Sequence, residues 1–138
     1  MSAACTACGQ MLPLPTGPVY AFEIARKVPT MNDHIQNQGS ARWRYKRDRE
    51  AWALEFRAVR MNGLCPRAMT KRRVTFVRLY TGREREWDNG NFVGGLKLVL
   101  DAMVKEALLI DDNSKFLDDV YRQEKCDRTG LRVEIVEL

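Results

Sequence analysis

The sequence predicts an α+β fold, in which a small mixed β-sheet packs with two main helices in a single domain. The 138 residues, 45% hydrophobic and 30% charged, suit one globular domain. Some stretches have the alternation or β-branched composition of strands, and others have apolar side chains at the spacing of a helix. They follow one another as strand–helix–strand–helix–strand–strand, an order typical of an α+β fold.

The first half is predicted to form a strand, a helix and a second strand. Residues 19–28 alternate well enough for a strand that ends at Pro29, and residues 29–41 are polar and turn-like. Residues 42–61 have helical periodicity, and residues 72–80, RRVTFVRLY, are rich in the β-branched and aromatic residues of strands. The apolar face of this helix comprises Tyr45, Trp52, Phe56 and Val59.

The second half is predicted to form a loop, the clearest helix and two closing strands. The loop covers residues 81–95, and the strands cover 114–125 and 131–138 on either side of the turn CDRTG. Within 114–125, Asp118, Asp119 and the RQEK stretch are interpreted as solvated positions. The helix spans about residues 96–108, with an unbroken apolar face of Leu96, Val99, Leu100, Met103, Val104, Ala107 and Leu108.

Residues 1–17 are predicted to be a flexible lead outside a domain that covers 18–138. Cys5 and Cys8 have the spacing of half a zinc site, which Cys65 and Cys126, or a second chain, would have to complete. The favoured alternative is a reduced lead in a reducing compartment. The lead does not resemble a secretory signal, and no apolar run has the length of a membrane helix, so a cytoplasmic location is expected.

The net charge of +5 is unevenly distributed along the chain. Residues 1–37 are neutral, residues 38–85 carry 14 basic and 4 acidic side chains, and residues 86–138 carry 7 basic and 12 acidic side chains. A basic segment followed by an acidic one predicts a polyanionic partner beside a cation site. Two solvated surfaces would produce the same distribution.

Acidic and amide side chains surround the predicted helix 96–108. Lys97 and Asp101 lie four residues apart on it, which an ordinary surface ion pair would also explain. Carboxylate and amide oxygens suit Mg²⁺, which keeps several waters and leaves room for a phosphate. Such a cation can polarise a phosphodiester, and a nearby lysine can hold the phosphate. The flanking candidates are Glu86, Asp88, Asn89 and Asn91 before the helix, and Asp111 and Asp112 after it.

These residues resemble the signature of the RusA-type Holliday-junction resolvases, which are endodeoxyribonucleases common in bacteriophages and prophages. The resemblance covers residues 18–138, and it includes Asn32 in an early loop and the last strand, LRVEIVEL. One departure is Gly90, where the family usually has a second aspartate before the asparagine. An alternative register would use Glu86 and Asp88 as the acidic pair. The matching motifs are Asp88-x-x-Asn91, Gly94-Gly95-x-Lys97-x-x-x-Asp101-Ala102 and Asp111-Asp112.

The resemblance implies Mg²⁺-dependent cleavage of four-way or other branched DNA by a homodimer in a bacterial cell or phage-infected host, with Mn²⁺ as a possible substitute. Asp88, Lys97 and Asp112 would be catalytic. Asp88, Asp111, Asp112 and Glu86 would bind the metal, with Asn91 and Asp101 in support. A catalytically weakened DNA-binding relative and a zinc-tethered interaction module are the alternatives. His34, the only histidine, is expected in an exposed loop rather than as a general base.

Nine basic residues are predicted to contact DNA phosphates. The predicted metal ligands Asp88 and Asp112 lie on either side of a helix, so the distance between them has to be explained. A helix over 96–108 is about 18 Å long, yet Asp88 precedes it and Asp112 follows it. Either the flanking loops fold back along the helix, or two chains share each site. The predicted DNA contacts are Arg42, Arg44, Lys46, Arg47, Lys71, Arg72, Arg73, Arg83 and Arg85.

Overall fold

The chain forms a four-stranded mixed sheet with two main helices, as predicted. The computed structural model describes residues 2–4, 11–13, 19–30 and 38–138. Cys5, Cys8, Asn32 and His34 lie outside the described residues. None of the described helices is long and apolar enough to cross a membrane. The elements are β1 (Ser2–Ala4), β2 (Met11–Pro13), β3 (Val19–Ile24), α1 (Gln38–Met61), β4 (Arg72–Tyr80), α2 (Asn89–Gly95), α3 (Lys97–Lys105), β5 (Leu117–Lys125) and β6 (Gly130–Glu137).

The order of the strands in the four-stranded sheet is β3-β6-β4-β5. β6 pairs antiparallel with β3 on one side and with β4 on the other, whereas β4 and β5 are parallel. The crossover between the parallel strands contains α2 and α3, the usual way to connect two parallel neighbours. β5 and β6 are consecutive in sequence but lie on opposite sides of β4. β1 and β2 form a separate antiparallel pair.

Most predicted elements are present, with changes at their ends. β4 matches its predicted range, β3 ends at Ile24 rather than at residue 28, and α1 begins four residues before its predicted start at residue 42. The prediction of a loop over residues 81–95 is wrong at its end, because residues 89–95 form α2. The two glycines expected in that loop, Gly94 and Gly95, are therefore helical.

Gly95 is required by a close approach of two backbones. A Cβ atom at this position would lie 1.9 Å from the carbonyl oxygen of Pro29, a distance that no side chain tolerates. The end of α2 therefore packs directly on the segment after β3, and only glycine permits the contact.

The core lies between the sheet and the apolar faces of α1 and α3. Trp52, Phe56 and Val59 of α1 are buried as predicted, and Tyr45 is half-buried. The ring of Phe56 lies edge-on to that of Phe22 on β3, with centroids 6.3 Å apart. The predicted face of the second helix is buried at Leu96, Val99, Leu100, Met103 and Leu108, and half-buried at Val104 and Ala107.

Arg72 is a structural residue, so its prediction as a DNA contact is wrong. Its side chain is fully buried at the start of β4 and forms an ion pair with Glu137. Its guanidinium also donates to the carbonyl oxygens of Leu108 (2.9 Å) and Arg67 (3.3 Å). It thus joins β6, the segment after α3 and the segment before β4. A count of basic residues cannot distinguish such a buried guanidinium from a solvated one.

Replacement of Arg72 by methionine is expected to lower the free energy of unfolding by about 3 kcal/mol, because Glu137 would lose its cationic partner and two carbonyl groups would lose their donor. Urea denaturation measures this loss. Arg73→Met is the matched control: Arg73 is the next residue, and its ion pair with Asp118 is more than 40% exposed on both sides. The Arg73→Met substitution should lower the free energy of unfolding by less than about 1 kcal/mol. Equal losses in the two variants would contradict the structural role of Arg72.

Cys65 and Cys126 lie at opposite ends of β4. The thiol of Cys65 is 3.5 Å from the guanidinium of Arg72, whereas the backbone N–H of Cys126 donates to Tyr80. A nine-residue strand spans about 26 Å, so the two thiols cannot bind one zinc ion. A four-cysteine site within one chain, which the sequence left open, is therefore wrong. Burial raises the pKa of the Cys65 thiol.

Candidate active site

The segment after α3 folds back along the helix and brings Asp112 to Lys97. The Nζ atom of Lys97, the first residue of α3, lies 4.0 Å from Oδ2 of Asp112. α3 is nine residues and therefore about 14 Å long, so the chain must return almost its whole length to make this contact. The segment that follows α3, rather than the loop that precedes it, therefore brings Asp112 close to Lys97.

The reversal after α3 is a Schellman motif centred on Ala107. Ala107 has a φ of 62°, and its N–H donates to the carbonyl of Val104, while the N–H of Leu108 donates to that of Met103. The preceding residue, Glu106, is buried and accepts hydrogen bonds from Arg57 and Arg60 of α1. These two arginines lower the pKa of Glu106, mainly through the hydrogen bond from Arg57. α1 thus fixes the point at which the chain turns back.

Tyr45 connects the basic helix α1 to the helix α3. Its hydroxyl donates a hydrogen bond to Oδ2 of Asp101, one turn after Lys97 on α3. Burial raises the pKa of Tyr45, and the hydrogen bond to Asp101 and the charges of Asp101 and Asp112 raise it further. The hydroxyl is therefore protonated at neutral pH. Tyr45, Lys97, Asp101 and Asp112 form one group, which we call the α3 cluster.

Asp111 shapes the turn that presents Asp112. Its Oδ1 atom accepts a hydrogen bond from the backbone N–H of Asp112 (2.7 Å), and its Oδ2 atom accepts one from the side-chain amide of Asn113 (3.0 Å). Asn113 in turn accepts from the backbone N–H of Lys115. Both oxygens of Asp111 thus have donors within the turn, and the carboxylate of Asp112 is the one that faces Lys97.

Asp88 caps the N-terminus of α2. Its Oδ1 atom accepts a hydrogen bond from the backbone N–H of Asn91 at 2.9 Å, as an N-cap aspartate does. α2, about 10 Å long, lies between Asp88 and Lys97. Glu86 is exposed in the segment before the cap. Gly90 is also exposed, and its position has room for a side chain, since a Cβ atom there would have Oδ1 of Asp88 as its nearest neighbour, at 3.6 Å.

The predicted metal ligands do not converge within one chain. Among the residues that the structure describes, no group of three or more acidic, cysteine or histidine side chains could hold a metal ion. Lys97, Asp101 and Asp112 come together, and Asp111 adjoins them. Asp88 lies at the other end of α2 from Lys97, and Glu86 precedes it. The full ligand set of Asp88, Asp111, Asp112 and Glu86 therefore does not form a metal-binding group in the described part of one chain.

A buried arginine and a glutamine fix the segment that leads to Asp88. Gln123 of β5 accepts from the N–H of Trp87 (2.9 Å) and donates to its carbonyl (2.7 Å). Arg78 of β4 donates to Gln123 and to the carbonyl of Arg85, and its guanidinium lies 3.6 Å from the centroid of the Trp87 ring. The prediction that Gln123 is a solvated strand position is wrong. Arg78 and Gln123 are neighbours across the parallel β4–β5 pair, which no local sequence signal revealed.

The predicted DNA contacts divide by exposure. Arg42, Lys46, Arg47, Arg83 and Arg85 are exposed; Arg44, Lys71 and Arg73 are half-buried; Arg72 is buried. Sequence reasoning also missed Tyr45 and its neighbour Arg49, whose charge opposes the rise in the pKa of Tyr45. Tyr45 was assigned to the apolar face of α1, where its ring does lie, but the partner of its hydroxyl is 56 residues away.

Comparison with protein-family models found no match, and comparison with curated proteins found none either. The resemblance to the RusA-type resolvases therefore rests on the motif residues themselves.

Proposed function

We propose that the chain is a metal-dependent endodeoxyribonuclease that cleaves four-way junctions or other branched DNA in the cytoplasm of a bacterial or phage-infected cell. The observation that carries the proposal is the α3 cluster. Its lysine and two aspartates are motif residues of the resemblance, and the fold brings Asp112 to Lys97 although 15 positions separate them. A basic helix, α1, contributes the tyrosine that holds Asp101.

The chemistry of the cluster suits phosphodiester hydrolysis. The ammonium group of Lys97 is well exposed, so it can contact a phosphate oxygen and balance the charge that develops there. Mg²⁺, with Mn²⁺ as a substitute, would supply the activation of water and phosphate. The exposed arginines and lysines of α1 and of residues 83–85 would attract the DNA backbone. Because the ligand set is incomplete in one chain, the proposal includes a homodimer in which a second chain contributes Asp88.

A DNA-binding relative that does not cleave is the second candidate. It is favoured by the glycine at position 90, where the resemblance leads one to expect a carboxylate, and by the separation of Asp88 from the α3 cluster. The basic surface would be retained in such a protein. A zinc-tethered module would need a second chain to complete the Cys5–Cys8 pair.

Cleavage of a synthetic four-way junction tests the proposal. The purified protein is expected to cut opposite strands of the junction in Mg²⁺, to lose this activity in EDTA, and to leave a linear duplex of the same sequence intact. Product mapping on denaturing gels measures both cuts. Binding of the junction without cleavage in Mg²⁺ or Mn²⁺ would favour the second candidate. If the protein neither binds nor cleaves the junction, both candidate functions are contradicted.

A further inference from the structure

Trp43 is the tryptophan whose ring is open to solvent. It is 63% exposed on α1, whereas Trp52 is buried in the core and Trp87 is covered by the guanidinium of Arg78. The guanidinium of Arg47, one turn further along α1, lies 4.9 Å from the centroid of the Trp43 ring. An exposed tryptophan thus has a cationic side chain at its ring, in the arrangement of a cation–π pair.

The surroundings of Trp43 are strongly cationic. Within residues 42–49, five side chains are basic and one is acidic, and the acidic one, Asp48, is paired with Arg47 at 3.1 Å. An aromatic ring among cations is the combination with which proteins bind single-stranded nucleic acid: the cations follow the phosphates and the ring stacks on a base. A neutral apolar partner would have to desolvate these charges, which disfavours an apolar protein surface as the occupant of this site.

The position of Trp43 relates it to the α3 cluster. Tyr45, two residues later, donates to Asp101, so it points towards the cluster. Two residues correspond to about 200° of rotation and about 3 Å of rise along a helix. Trp43 therefore points away from the cluster, on the far side of α1. The Trp43 ring is therefore a binding surface separate from the α3 cluster.

We propose that Trp43 and Arg47 form a stacking site for an unpaired nucleobase of DNA. This inference rests on the proposed function, which identifies the partner as DNA. It adds the feature of the DNA that α1 recognises, an unpaired base. Bases within a continuous duplex are stacked on each other and cannot cover the Trp43 ring. Bases at an open branch point or in a single-stranded segment can, so the site would favour branched DNA over duplex before any bond is cut.

The test compares three variants in binding to a single-stranded oligonucleotide and to a blunt duplex, by fluorescence anisotropy in EDTA. Trp43→Ala is expected to weaken single-strand binding about 5- to 150-fold, the range for loss of one stacked base. Its effect on duplex binding should be less than about threefold, because phosphate contacts remain. Trp43→Phe, which keeps an aromatic ring, should restore most of the affinity. Leu54→Ala is the matched control, since Leu54 is 60% exposed on the same helix.

The outcomes separate this inference from the proposed function. Equal losses for single strand and duplex, or equal losses in the Trp43→Ala and Leu54→Ala variants, would overturn the stacking site. A shift to a smaller species on sedimentation of Trp43→Ala would also overturn it, since the ring would then lie between chains. Because the assay contains no cleavage step, its result stands whether or not the protein cuts a junction. Junction cleavage with unselective binding would likewise reject the stacking site alone.

Discussion

Replacement of Asp112 by asparagine is expected to reduce junction cleavage by more than about 100-fold and to leave junction binding unchanged or tighter. The substitution removes the carboxylate that faces Lys97, but keeps the size of the side chain. Loss of a group that merely supports a metal ligand costs about 10- to 100-fold, so loss of a ligand should cost more. Binding should persist because one negative charge near the DNA phosphates is removed. Single-turnover cleavage and anisotropy measure the two quantities.

The control for Asp112→Asn is Asp127→Asn. Asp127 is 86% exposed beside Arg128, in the turn between β5 and β6, and is not a motif residue. The Asp127→Asn variant should cleave the junction at the wild-type rate. Full activity of Asp112→Asn would remove the α3 cluster from the mechanism, whatever the activity of the control.

Chains that carry Asp88→Asn and chains that carry Asp112→Asn should each be inactive, and a mixture of the two should regain nicking. If one chain supplies the α3 cluster and its partner supplies Asp88, the mixed dimer contains one site with both aspartates intact. In an equal mixture, half of the dimers are mixed and each has one intact site of two, so about one quarter of the wild-type nicking is expected. The absence of a complete ligand group within the described part of one chain is the reason for this expectation.

A second mixture provides the control. Lys97 and Asp112 contact each other within one chain, so Lys97→Met chains mixed with Asp112→Asn chains leave every site damaged. That mixture should remain inactive. If the Asp88→Asn and Asp112→Asn mixture is also inactive although the chains exchange, each site belongs to a single chain and the shared arrangement is wrong.

Elements with local signals were predicted well. β4 matches its range because β-branched and aromatic residues fill it, and its long run of buried side chains reflects a central position. The apolar faces of α1 and α3 were found because their periodicity depends on neighbours a turn apart. α2 was missed, since three of its seven residues are glycine. Two features mark α2: the Asp88 cap at its start and the contact of Gly95 with Pro29 at its end. Only the cap can be recognised from neighbouring residues in the sequence.

The candidate site was predictable only in part, because its contacts join distant residues. The resemblance pointed to Lys97, Asp101 and Asp112, but not to the return of the chain after α3 that brings Asp112 to Lys97. Tyr45 could not be found, because its hydroxyl bonds to a residue on another helix. Arg72 was assigned to DNA from its charge, although burial and its bond to the carbonyl of Leu108 decide its role.

The position of β6 has a consequence for the order in which the chain acquires its structure. In the described sheet β3 is joined to the rest through β6, and Val19 pairs with Val136. During synthesis, β4, α2, α3 and β5 can associate first, because they are close in sequence. In this sheet β3 pairs with β6, so its strand pairing must wait until the ribosome has released residues 130–137. Such long-range pairing slows folding, so closure of the sheet by β6 is expected to be a late step in the folding of the chain.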